Sequence, residues 1–214
     1  SAACLIVCVF FCIFSPDPSP QKEKKTGFSG VLRRRDFWIM AILWVFAASC
    51  ALGLYSVIPL FLVKENGMHL ETANTIFGFS RIGGFIVAII TGFLVDRYGA
   101  KRILFLVILL TGLSTMNLAL AQTIPFLVVM LFIHATIYPA FFPVALVAIS
   151  RLTAFNERSI FAGTTMAIGV IIGIGLTPVI LGAVADVWNF RVGIFSLGAF
   201  TAISCISLKG IRDI

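Results

Sequence analysis

Charge is scarce in this sequence. Only 12% of its 214 residues are Asp, Glu, Lys or Arg, while 60% are hydrophobic. A soluble domain of this length carries roughly a quarter charged residues. One soluble core could not hide so much apolar surface, so lipid must be the solvent for much of it. Between Ile103 and Ser150 there is no charged residue at all. Phe37 to Val63 also has none, and Thr72 to Val95 has only Arg81. No phosphate-cradling Gly-x-x-x-x-Gly-Lys-Ser/Thr loop occurs, which excludes ATP hydrolysis by this chain. A basic face with interleaved aromatics is also missing, which argues against nucleic acid despite a net charge of +7. Cysteine is sparse and confined to apolar runs: Cys4, Cys8, Cys12, Cys50 and Cys205. No His or acid stands beside the first three, so neither a metal site nor a disulfide framework is expected.

The apolar runs are continuous and long, as in membrane-crossing helices; the strands of a barrel alternate. A crossing takes about 20 residues. Phe37–Val63 and Thr72–Val95 each make one span, and Ile103–Ser150 makes two around a turn at Ala121–Pro125. Ser159–Ala185 and Val192–Leu208 complete six, and residues 1–14 resemble the end of a preceding helix. Lys22, Lys24, Lys25, Arg33, Arg34, Arg35, Arg97, Lys101, Arg102, Arg151, Arg158, Lys209 and Arg212 fall on one side of this topology, and only Lys64 and Arg191 on the other. By the positive-inside rule the first side is cytoplasmic. The expected organisation is a helix end at 1–14, a cytoplasmic linker at 15–36 and a six-helix bundle at 37–214. The expected location is a bacterial-type inner or plasma membrane, with the linker and C-terminus cytoplasmic.

The stretch GFLVDRYGAKR puts a charged turn between two spans. Gly92 suits close helix approach and Gly99 a tight turn. Asp96 suits the positive N-terminal end of a helix, expected to be that of the span starting near Ser159. Arg97, Lys101 and Arg102 suit carboxylates, helix C-termini or lipid phosphates. The ordered Gly-x-x-x-Asp-Arg-x-Gly resembles the signature loop of the major facilitator superfamily. Gly92, Asp96, Arg97, Gly99 and Lys101 match in register, while Ala100 departs and Arg102 lies one place later. The resemblance implies an all-α membrane fold made of two six-helix halves. This chain would be the end of helix 6, the central loop and helices 7 to 12, with the N-terminal half as its missing partner. Gly182-x-x-x-Asp186 echoes Gly92-x-x-x-Asp96, as a three-plus-three inverted repeat would produce.

Arg81 is the outstanding functional candidate, because a charge within a span is expensive. It lies on a stripe with Gly84, Ala88 and Gly92. With no Asp or Glu in any span, its partner is expected to be a carbonyl, a carboxylate of the missing half or an anionic substrate. His134 and Tyr138 share a helical face. His134 could relay a proton or bond a substrate, or simply tie helices together. Tyr55, Ser56, Thr164 and Thr165 are weaker candidates. Gly163, Gly169, Gly173 and Gly175 are read as packing positions, and Pro139 and Pro143 as bends. The function expected is a secondary transporter moving a small solute, with an anion or a drug or metabolite as cargo, and a coupling proton or ion as a further partner. A non-transporting scaffold or receptor is the reading from another class. An intramembrane enzyme would need Ser80 with His134, but GFSRI lacks the closing Gly of Gly-x-Ser-x-Gly. No cofactor is expected.

Overall fold

The computed structural model describes residues 28–211. The expectations placed on residues 1–27 (the partial helix, Cys4, Cys8, Cys12 and most of the linker) and on Arg212 lie outside the described residues. A short helix, Phe28–Leu32, leads into six helices long and apolar enough to cross a membrane. They are α1 (Arg35–Lys64), α2 (Leu70–Tyr98), α3 (Ala100–Leu120), α4 (Ile124–Leu152), α5 (Phe155–Val187) and α6 (Phe190–Gly210). The uncharged run divides where Gln122 and Thr123 interrupt it, and Pro125 then enters the first turn of α4. Proline fits there because a helix start leaves its first N–H groups unpaired anyway.

Short turns make successive helices antiparallel. α2 packs against α3 and α4, while α5 packs against α6 and α1. Exchanging α1, α2, α3 for α4, α5, α6 maps one set of contacts onto the other, which is the three-plus-three repeat. Asp96 and Asp186, at the ends of α2 and α5, therefore lie at opposite ends of the bundle. The innermost helix is α1: 72% of its apolar window is buried, against 22% for α2 and for α5. Two cores surround it. At the basic end Phe37 meets Phe161 at 5.3 Å and Trp44 meets Phe141 at 5.1 Å, both edge-on. At the other end Leu54, Ile58 and Phe61 pack with Leu118, Leu131 and Ile194.

α3 and α6 touch backbone to backbone. A Cβ on Gly198 would come within 2.7 Å of the Met116 amide nitrogen and 2.8 Å of the Gly112 carbonyl oxygen. Small residues permit this dispersion-rich contact where lipid removes any hydrophobic drive between helices. α3 is α-helical throughout, but the four inner and lateral helices all change pitch. α1 has a π turn at Ser49–Gly53, α2 breaks at Arg81, α4 tightens to a 3-10 turn at Tyr138–Ala140, and α5 has a π segment at Ile171–Leu176. Proline explains α4, since Pro139 and Pro143 remove two helix donors. The π segments of α1 and α5 pack on each other, with Gly173 against Ala48 and Ser49.

Not every glycine expected to allow close packing does so. Gly84 lies beneath Pro139 and Gly169 against Trp44, but Gly92, Gly163 and Gly175 face open space. Gly92 lies on a face of α2 that no other described helix covers, so its expected role in close approach is not realised.

Candidate substrate-facing site

The breaks in α1, α2 and α4 sit beside one group of polar and aromatic side chains. Tyr55 follows the π turn of α1. Phe77 and Arg81 lie one turn apart on α2, and His134 and Tyr138 one turn apart on α4. The Tyr55 ring lies 5.1 Å from Tyr138, 5.2 Å from Phe77 and 5.7 Å from His134. The Arg81 guanidinium stands 4.7 Å from the Phe77 ring centre and 5.0 Å from that of Tyr55. Four of the five residues expected to contact substrate are thus brought together. Thr164 is not: its stretch of α5 packs at the level of Phe37 and Trp44, toward the basic end.

Arg81 is exposed, and neither an acid nor a carbonyl bonds to it among the described residues. Two aromatic faces hold it instead, each attracting the cation through the ring quadrupole. Of the partners expected for it, a backbone carbonyl is not found among the described residues. A ring leaves the five N–H donors of the guanidinium uncommitted in a way that a carboxylate would not.

His134 is fully buried. Its Nδ1 lies 3.1 Å from the Ser114 hydroxyl and 3.3 Å from that of Thr115, and its Nε2 lies 3.3 Å from the Cys50 carbonyl. A carbonyl only accepts, so Nε2 carries the hydrogen and Nδ1 accepts from a hydroxyl. Both hydroxyls also reach the Thr111 carbonyl. Two hydroxyl protons therefore serve two acceptors. The arrangement joins α4 to α3 and α1, as expected of a histidine that ties helices together. It leaves no role for a Ser80–His134 pair, because Ser80 donates to the Phe77 carbonyl at 2.8 Å. The Tyr55 hydroxyl is buried and has no hydrogen-bond partner among the described residues.

Sequence reasoning missed Phe77, whose only signal was its position four residues before Arg81. It also missed Ser114, Thr115 and Cys50, for which no pattern existed.

In the charged turn, Gly99 has φ 86°, the conformation expected of it. Lys101 donates to the Ile211 carbonyl at 2.7 Å and so closes the end of α6, one of the roles expected of the basic residues. Asp96 is exposed and meets no partner among the described residues. It does not reach the start of α5. That position is taken by Glu157, paired with Arg34 at 2.9 Å, while Arg34 also donates to the Leu152 carbonyl at 2.7 Å. The reason is topological: α2 and α5 both touch α1 and α4 but make no substantial contact with each other.

The family model of the Major Facilitator Superfamily matches residues 1–97 and 56–212. The chain belongs to this family. Its six long apolar helices fit an integral, multi-pass membrane protein of that family. No curated protein matches the chain. The crystal structure of the E. coli fucose:proton symporter, FucP, is similar with a TM-score of 0.76 and 16% identity. The match covers 99% of this chain and 53% of that one, so the chain spans about half the length of the solved transporter. At this identity the likeness concerns the fold.

Proposed function

We propose that the protein is a secondary active transporter and that Tyr55, Phe77, Arg81 and Tyr138 form one wall of its solute site, with the buried His134 holding the helices behind it. The observation that carries this is Arg81: an exposed guanidinium within a membrane span, held only by aromatic faces among the described residues. Holding a charge there is costly, and an anionic solute would repay it. In this reading the second wall comes from another six-helix half, as in the complete family fold, and the basic end of the bundle faces the cytoplasm. Thr164 lies on the same chain but outside this wall. The fucose:proton symporter is compatible with a coupling proton or other ion here.

A second reading has a specific support. Two rings hold the guanidinium and Tyr138 adjoins one of them, and an aromatic-lined site also suits an apolar drug or metabolite for export. Ligand-induced thermal shifts across anionic, neutral and cationic solutes, on the wild type and Arg81→Gln, decide between them. The anion reading expects a response to anions that Arg81→Gln abolishes. A response limited to neutral or cationic solutes and unchanged in the variant would leave the exporter. Uptake into proteoliposomes separates both from a scaffold that moves nothing.

A further inference from the structure

At the basic end of the bundle, on the side away from Arg81, the start of α3 and the end of α6 enclose an open groove of about 600 Å³. Its lining is Lys101, Arg102, Phe105, Leu106, Leu208 and Lys209. Three cations therefore stand over an apolar floor, with no acid among the described lining residues. The first amides of α3 add the positive end of a 21-residue helix. Below the groove the apolar surface continues without a covering helix: Leu106 and Leu110 on α3 and Ile203 and Ile206 on α6 are all exposed.

We propose that this groove binds one anionic glycerophospholipid, with the phosphate among Lys101, Arg102 and Lys209 and the acyl chains running down the α3–α6 face. Charge alone would admit any soluble anion. The apolar wall running from the cations toward the membrane centre selects a molecule charged at one end and hydrocarbon at the other. Lys101 is fixed by its bond to the Ile211 carbonyl, so one ammonium is positioned before a ligand arrives. Basic residues at a membrane face attract acidic headgroups by about 1 kcal/mol each.

The test is thermal unfolding of the delipidated protein in neutral detergent, titrated with short-chain phosphatidylglycerol, phosphatidylcholine or inorganic phosphate. A saturable rise in Tm with phosphatidylglycerol is expected, smaller with phosphatidylcholine, absent with inorganic phosphate and reduced by salt. The Arg102→Gln/Lys209→Gln double variant should need about thirtyfold more phosphatidylglycerol. Arg102→Lys should bind nearly as the wild type, which covers the case of a misfolded double variant. Arg97→Gln/Arg151→Gln removes the same charge from the same end and should leave binding unchanged. Four results would overturn the proposal: an equal response to phosphatidylcholine; an equal response to inorganic phosphate; an equal loss in the Arg97/Arg151 control; or no response at all.

Discussion

Arg81 and Arg191 lie toward the same end of the bundle and are held in opposite ways. Arg191, at the start of α6, pairs with Glu65 at 3.5 Å, donates to Asn66 at 2.9 Å and to the Ala119 carbonyl at 3.0 Å, and also bonds the Ala121 carbonyl. Glu65 in turn accepts from the Phe190 amide. Three segments, the end of α1, the end of α3 and the start of α6, are joined through one side chain. Among the described residues Arg81 has only rings. A guanidinium whose donors are used up is a fastener. One held by π faces keeps its charge in place and its donors available. The contrast assigns structure to one arginine and chemistry to the other, although the sequence presents both as isolated cations.

The largest expected effect tests the fastener. Arg191→Ala leaves two carbonyls and one oxygen of Glu65 without the guanidinium in a half-buried place and should cost about 2–4 kcal/mol of stability. The measurement is thermal unfolding in detergent. Solute selectivity of the folded fraction should not change, and a change in it would break the comparison. Next comes Arg81→Gln, which should weaken an anionic solute by about tenfold or more, on the order of 1.5–3 kcal/mol for a lost charge-assisted bond. Stability should fall by less than in Arg191→Ala. If the stability losses are equal, Arg81 is a fastener too. Phe77→Leu removes one π face while keeping an apolar side chain, and should cost about 0.5–1 kcal/mol in solute affinity by letting the guanidinium wander. Isothermal titration with an anionic ligand would show it, and no change would mean that Tyr55 alone positions Arg81. The smallest effect is expected of Tyr55→Phe without ligand. Deleting a buried hydroxyl that has no partner should leave Tm unchanged or slightly raised. A clear fall in Tm would show that the hydroxyl is bonded.

The same contrast shows what could be read in advance. Arg81 stood out because its span holds no other charge, and His134, Tyr138 and Tyr55 stood out as polar groups in apolar runs. Arg191 was counted only as a topology signal, because the carbonyls it binds belong to residues distant in the chain. Asp96 was assigned to the start of α5 by electrostatic suitability. The structure gives that place to Glu157, two residues into the same helix. Thr164 and Gly92 were chosen by residue type and spacing, and both were placed wrongly relative to their neighbours. In a membrane helix an apolar residue faces lipid as readily as protein, so hydrophobicity marks the span without marking its inner face.

What the sequence determined by itself is the set of six spans, the turns between them and the clustering of cations at one end. The reason is that bilayer thickness and the cost of burying charge act on each segment separately. The tertiary structure alone decided which helices touch, that α3 and α6 meet through glycines, that π and 3-10 turns interrupt the inner helices, and that Arg81 is held by rings. Those outcomes depend on side chains brought together from helices tens of residues apart. Only packing sets their relative rotation and depth.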